Sequence, residues 1–323
     1  MMTNADSKTG ESSQKNGPLS IKPTKSVRVD TDNYGLKMTL FQYQTCPFCC
    51  KVRALLDYYG FSYDVVEVNS VWRTQTKWSS YKKVPILVIH GEKNKEYLQL
   101  NDSSVIMSIL ETYLMDTNQS IENLLKFYPS IESKNAKGKT EIEFPNKYFI
   151  MYQDMVVKST AQVIKEERKW RSWVDNTLVH SLSPNVYRTP SEALQAFKYF
   201  SQVGDWENTF SAAERMVVIY VGAVAMYFVG KILKKRHSLK DDVRSSLYDQ
   251  CKEWTAAIGN KKPFMGGDQP NLADLSVYGV LNSIEGCDAF QDVLQNTKIG
   301  PWYERMKKVV SHHGGANSSN KQR

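Results

Sequence analysis

The feature that most constrains this chain is Thr45-Cys46-Pro47-Phe48-Cys49-Cys50. It joins an apolar run, KMTLFQY at 37–43, to an amphipathic stretch, PFCCKVRALLDYYG at 47–60. The run has the character of a strand. The stretch reads as a helix with Pro47 in its first turn and Gly60 at its end. Cys46 therefore stands where a strand ends and a helix begins, where unbonded backbone N–H groups and the helix dipole favour a thiolate. Phe48 shields the position, and Cys49 lies within reach of Cys46. By itself the pair admits three readings: a disulfide-exchange centre, half of a zinc site, or one nucleophile with a bystander thiol. Zinc is the poorest, because no second Cys/His pair stands downstream at a spacing that would complete four ligands.

The segments after this helix narrow the fold. SYDVVEV (62–68) is a strand, VWRTQTKWSSY (71–81) a short helix, and VPILVIH (84–90) a strand opened by Pro85. Gly91 suits the turn into YLQL (97–100), and DSSVIMSILETYL (102–114) carries helical apolar spacing. The order β-α-β-α-β-β-α over residues 36–115 is that of a thioredoxin/glutaredoxin-like domain. In such a domain a Pro opening the third strand is cis, which turns the backbone before it toward the thiol. Val84 and Pro85 then expose an extended edge for a γ-glutamyl-cysteinyl backbone. Asp102 and Ser103 open a helix whose N-terminus offers donors to a carboxylate, while Asp102 offers an acceptor to an ammonium group. The glutamyl end of glutathione carries both. Asp102 also reads as a plain N-cap.

Residues 116–147 are polar and read as a linker or insertion, and from 148 to 310 strand signals vanish. Helices are expected over 165–182, 191–203, 211–235, 240–258, 271–283 and 287–310, the fifth opened by a capping box of Asn271 and Asp274. The fold class is thus an α/β thioredoxin-like N-terminal domain followed by an all-α domain, with disordered tails at 1–35 and 311–323. The uncharged stretch MVVIYVGAVAMYFVG (216–230) is shorter than the roughly 20 residues of a membrane span. It is expected as a buried helix packed through Gly222, Ala223 and Ala225.

A formal net charge of +8 suggests nucleic acid until it is located. Residues 1–28 hold five Lys/Arg against two acids, and residues 304–323 hold five against one. The tails carry nearly all of the excess, so a nucleic-acid enzyme is excluded. Five cysteines, three of them within 46–50, make no secreted disulfide framework and point to a reducing compartment. Residues 1–35 contain no apolar core of a signal peptide.

A thioredoxin-like domain followed by helices bearing GGDQPNLADL resembles the glutathione S-transferase superfamily. Within it, FQYQTCPFC, VRALLDYYGFSYDVVEVN, KKVPILV, QLNDSSVI, KWRSWVDNTLVHSLSPNVYRTPSEAL and KKPFMGGDQPNLADLSVYGVL resemble the microsomal type 2 family of prostaglandin E synthases. The likeness spans residues 38–305. It implies isomerisation of prostaglandin H2 to prostaglandin E2, with Cys46 as the reacting thiol, Tyr43 and Phe48 beside it, and Cys49 as its redox neighbour. It implies glutathione held by Val84, Pro85, Asp102 and Ser103, and an apolar groove for the lipid between the domains. It also implies haem as an optional ligand, near His180, Ser183 and Arg236, although Ile232 stands where relatives carry a basic residue. Cys50 replaces a smaller hydroxyl residue and adds a candidate oxidisable thiol. A homodimer of transferase type is expected. So is a cytoplasmic protein with peripheral perinuclear or Golgi-membrane association, since the apolar N-terminal anchor of vertebrate relatives has no counterpart in this sequence. Two other functions remain open: a glutathione-dependent thiol-disulfide oxidoreductase, and a non-enzymatic glutathione- or haem-binding protein.

Overall fold

A computed structural model describes residues 17–91, 96–134, 138, 140–152 and 161–316. Five strands form one mixed sheet: β1 (Lys25–Val27), β2 (Met38–Gln42), β3 (Tyr63–Glu67), β4 (Ile86–His90) and β5 (Tyr97–Asn101), in the order β1-β3-β2-β4-β5. Only β2 and β3 run parallel, and α1 (Pro47–Tyr59) makes their crossover. Strand alternation divides the side chains between two faces. Leu40, Val65, Leu87 and Leu100 pack beneath α1 and α2 (Ser103–Met115). Phe41, Val66, Ile86 and Val88 face the other way, onto Trp78, Tyr81 and Tyr97.

Register gathers the site. Phe41 pairs with Ile86, and Ile86 with Asn101. The residues just beyond those pairs therefore emerge at one end of the sheet: Tyr43 to Cys46, Val84-Pro85, and Asp102-Ser103.

The next elements are α3 (Ile121–Leu125) and a hairpin of β6 (Ile131–Lys134) with β7 (Thr140–Glu143). The helical part comprises α4 (Ala161–Trp173), one turn of π-helix (Val174–Leu178), α5 (Val179–Val186), α6 (Pro190–Val203), a single helical turn at Trp206–Thr209, α7 (Ala212–Arg236), α8 (Val243–Ile258), α9 (Leu272–Asn282), α10 (Asp288–Asn296) and α11 (Gly300–Ser311). Helix α9 lies against α1 so closely that a Cβ at Gly279 would sit 2.6 Å from Lys51 Cα. Its start is the expected capping box, with Asn271 Oδ1 accepting from Asp274 N–H and Asp274 Oδ2 from Asn271 N–H.

Several expectations need correction. The helix expected over 71–81 is a loop with a single 3-10 turn at Thr74–Thr76. Side chains hold it instead: Asn69 Oδ1 accepts from the N–H groups of Val71 and Trp72, and Trp78 packs edge-on against Phe41. The N-terminal tail is shorter than expected, since β1 pairs with β3 and covers an otherwise open edge. So is the C-terminal tail: Gly315 N–H donates to Tyr58 O, fixing the chain on α1. The 116–147 segment contains α3 and the β6–β7 hairpin rather than linker alone. The single helix expected over 287–310 is two, because Pro301 in the first turn of α11 cannot continue a helix from upstream.

The largest correction concerns 216–230. Helix α7 runs for 25 residues and buries only Val218, Ala223 and Gly230. Among the described residues it is one helix long and apolar enough to cross a membrane, with mean hydropathy 2.0 over its most apolar 18-residue stretch. One side packs on α6, where a Cβ at Gly222 would lie 2.6 Å from the Phe197 ring. The opposite side is open: Val221 is 62% and Phe228 60% exposed.

Glu111 on α2 is buried between the sheet domain and the helices. Its Oε1 accepts from Tyr59 O–H at 2.8 Å, while Oε2 has no partner. Burial pushes its carboxyl up to about 7, with nearby Glu167 adding to the rise. An acid raised in the folded state contributes stability that is full below its ordinary value and lost as pH climbs through the folded one. Melting temperature should therefore fall between pH 5 and pH 8, and Glu111→Gln should make that slope shallower by the equivalent of about 3 kcal/mol. Thermal denaturation of the two proteins across that range checks this. Identical slopes would locate the pH dependence elsewhere.

Candidate active site

Cys46 is the N-cap of α1, in extended backbone, with Pro47 at the first helical position. Its own N–H is bonded to Tyr43 O, and its C=O accepts the first helical bond from Cys50 N–H. As a residue Cys46 is half-buried. Its pKa is held below the ordinary thiol value, chiefly by a hydrogen bond from the Cys49 thiol. The backbone N–H groups of Cys49 and Phe48 and the charge of Arg53 act the same way, against the effect of burial. Cys49 is pushed well above the ordinary value, first by burial and then by Cys46, and the Tyr43 N–H points at its sulfur. Of the two thiols, Cys46 therefore ionises first and Cys49 keeps its proton longer.

The turn leading to Cys46 is pinned from beneath. Buried Glu67, pushed up to about 7 by burial, accepts from Gln44 N–H at 2.7 Å. Arg53 donates to Gln44 O and Gln42 Oε1 and lies 3.0 Å from Cys50 Sγ. Cys50 is buried, and burial raises its thiol to about 11. It behaves as a packed core residue with a guanidinium neighbour, which argues against the oxidisable role expected of it.

Val84-Pro85 is a cis peptide bond. Asp102 caps α2: its Oδ1 accepts from Ser104 N–H at 2.9 Å and Val105 N–H at 3.2 Å, and its own backbone adopts φ 66°. Ser103 is the first residue of that helix and is buried. Burial raises the pKa of the Tyr43 hydroxyl, and the charge of nearby Arg73 opposes that rise.

Sequence reasoning missed several residues around this end of the sheet. The Tyr81 hydroxyl meets the backbone of Asp102 and senses the charges of Cys46 and Cys49. Its only sequence signal is its place just ahead of Val84-Pro85. Arg73, beside Tyr43, sits in left-handed backbone at φ 49°. Lys51, fully buried, donates to Ser104 Oγ at 2.9 Å and to Asp175 Oδ1 at 2.5 Å. Asp175 comes from the π-turn, and its Oδ2 accepts from Ser104 Oγ and from Tyr148 O–H. Nothing in the sequence pairs Lys51 with a residue so far downstream. Among the described residues there is no metal-ligating cluster of three or more His, Cys, Asp or Glu.

Residues 38–93 match the glutaredoxin family. The chain is 48% identical over 297 residues to prostaglandin E synthase 2 of Danio rerio, covering 91% of this chain and 76% of that one. It is 49% identical over 278 residues to prostaglandin E synthase 2 of Mus musculus, covering 85% and 71%. The chain belongs to the prostaglandin E synthase 2 family. Among solved structures, glutathione transferase F7 from Populus trichocarpa aligns over 88% of this chain and 98% of its own, at 12% identity and TM-score 0.45.

The haem expected from the prostaglandin E synthase 2 resemblance fares poorly against these residues. His180 on α5 stacks face to face on His237 at 4.0 Å and 9°, so one side of its ring is covered. Arg236 ends α7 in an exposed position, and Ser183 sits within α5. Ile232 presents an exposed apolar side chain. These observations lend no support to the haem that the resemblance implied.

The thiol pair makes a direct prediction. Alkylation of Cys46 by iodoacetamide should follow a pH profile lying below that of an ordinary thiol. Cys49→Ala should move the profile upward and slow alkylation severalfold at pH 7, whereas Cys50→Ala should leave it in place. Equal profiles for Cys49→Ala and the parent would mean that the Cys49 hydrogen bond does not set the Cys46 pKa.

Proposed function

We propose that the chain binds glutathione and isomerises prostaglandin H2 to prostaglandin E2, with Cys46 as the reacting thiol. The observation that carries this reading is the lowered thiol pKa at the strand-to-helix junction, in a member of the prostaglandin E synthase 2 family. The Cys46 thiolate attacks the endoperoxide oxygen on carbon 9. The O–O bond breaks, and its electron pair goes to the oxygen on carbon 11, which takes a proton from Tyr43. The Tyr43 phenolate, held by Arg73, then removes the hydrogen on carbon 9. The C–H electrons form the ketone, the S–O bond breaks, and the thiolate returns. One ketone and one hydroxyl result with no net oxidation, so the cycle requires no external reductant. In its site, glutathione would supply a second thiol. The start of α2 and Asp102 would take its glutamyl end, and the Val84 backbone its peptide portion.

A second reading, a glutathione-dependent thiol-disulfide oxidoreductase, is favoured by the contact between Cys46 and Cys49. The two readings separate in one experiment. On prostaglandin H2 the parent should give prostaglandin E2 well above the solvent background, with Cys46→Ser at background and Tyr43→Phe slowed at least about 100-fold. Equal, solvent-like product ratios for parent and Cys46→Ser would overturn the isomerase. Turnover of a mixed disulfide in a glutathione-coupled assay, lost in Cys46→Ser, would then favour the oxidoreductase.

Asp102 tests the glutathione site separately. Asp102→Asn keeps an oxygen to cap α2 but removes the charge, so melting should hardly change while glutathione affinity falls. Asp102→Ala should lose both, with about 1 kcal/mol of stability. Titration calorimetry and thermal melts read the two effects. Unchanged affinity in Asp102→Asn would leave Asp102 as a cap alone.

A further inference from the structure

Glu67 ends β3 directly opposite Gln42, the last residue of β2. Its buried carboxylate is met by donors from three parts of the chain. Gln44 N–H, in the turn that leads to Cys46, donates to Oε1 at 2.7 Å, and Gln42 Nε2 donates to Oε2 at 3.3 Å. The third donor is the indole of Trp206, from the helical turn at Trp206–Thr209. Gly204 keeps the space for that indole, because a Cβ there would lie 2.5 Å from Trp206 Nε1. The sheet, the thiol turn and the helical part thus converge on one carboxylate.

These three neighbours are set to donate and not to accept. A backbone N–H and an indole N–H have no acceptor, and the amide of Gln42 is held in its orientation by Arg53, which donates to its Oε1. The titratable groups facing Glu67 are Arg53 and Cys50, both on α1. Arg53 grips the same turn from its other side, donating to Gln44 O at 2.6 Å, and the Cys50 thiol donates to that oxygen at 3.4 Å. The peptide units of Gln44 are therefore held at N–H by a carboxylate and at C=O by a guanidinium. A protonated Glu67 sets an O–H against donors, so one of its three contacts must break. Burial raises the carboxyl to about 7, which places that change near neutral pH.

We propose that Glu67 is a positioning residue for Cys46: its carboxylate holds the Gln44 turn that aims the thiol, and protonation of Glu67 loosens the turn and lowers the reactivity of Cys46. The inference rests on Cys46 as the reacting thiol, but not on what that thiol acts upon.

Alkylation of Cys46 by iodoacetamide in the full chain, followed by mass spectrometry of the Cys46 peptide between about pH 5.5 and 9, tests it without prostaglandin H2. In the parent the rate should rise with pH more steeply than one ionisation allows, because Glu67 and Cys46 must both lose a proton. Glu67→Gln puts an amide N–H where the acid would carry its O–H. It should fold as the parent does by circular dichroism, leave a single ionisation, and slow alkylation at pH 7.5 by about threefold, equivalent to about half a unit in the Cys46 pKa. Trp206→Phe deletes one donor and keeps a ring in place. It should move the steep part of the profile to higher pH, rejoin the parent near pH 9, and add nothing when combined with Glu67→Gln. Glu111→Gln, which removes the other buried acid raised to about 7, should leave the profile in place. Faster alkylation in Glu67→Gln would reduce Glu67 to a charge that opposes the thiolate, and an unchanged profile with a lower melting temperature would reduce it to a packing group. Either result, or a Trp206→Phe profile that superimposes on the parent's, would overturn the proposal. Absence of prostaglandin E2 formation with these profiles as expected would remove the isomerase reading and leave Glu67 in its role.

Discussion

The contact on which the arrangement depends is the buried pair of Lys51 and Asp175. Lys51 belongs to the helix whose first turn holds Cys46, and Asp175 to a π-turn in the helical part. Between them stands Ser104, in the first turn of α2, beside the residues assigned to glutathione. Burying an ammonium and a carboxylate costs several kcal/mol for each ion, and their attraction offsets this only where the remaining valences are filled. Here Ser104 and Tyr148 fill them. Removing one partner would strand the other charge in the interior at a cost of about 3–5 kcal/mol. The pair therefore ties three pieces, the thiol helix, α2 and the helical part, into one geometry. The π-turn has a reason within it: widening the helix for one turn aims Asp175 at Lys51 while Arg171, on the turn before, bonds the Ser104 and Tyr148 carbonyls.

What the sequence disclosed was local. The strand-to-helix step at Cys46, the cis Val84-Pro85 bond, the Asp102 cap and the Asn271–Asp274 box each depend on residues a few positions apart, and each leaves a compositional mark. What it concealed depends on distance. Lys51 looks like an ordinary solvent-facing helix lysine until Asp175 is folded against it, and Glu111 like a polar interruption in an apolar helix. The 71–81 segment shows a third kind of concealment, because its apolar residues follow a helical spacing. Trp78 instead spends its ring on the far face of the sheet, and the backbone bends to deliver it.

Helix α7 shows why hydrophobicity alone could not decide burial. A helix apolar all round is expected in a core or a membrane, and composition cannot tell one covered side from two. Of the small residues expected to mark a packed side, Gly222 and Ala223 do so, whereas Ala225 is exposed. Nothing in the sequence said that the opposite side would be left exposed.

The proton shared by Cys46 and Cys49 bears on which chemistry the site favours. Lowering one thiol by a hydrogen bond from the other works only while the donor keeps its proton. Cys49 keeps it because burial makes its thiolate costly and the neighbouring charge on Cys46 makes it costlier. A cycle in which Cys46 attacks and is returned unchanged leaves that arrangement intact throughout. A dithiol cycle would have to ionise Cys49 to resolve each mixed disulfide, against the burial that is the largest cause of its raised pKa. Isomerisation needs nothing of Cys49 except that it remain a donor, and that is the state the surrounding structure stabilises.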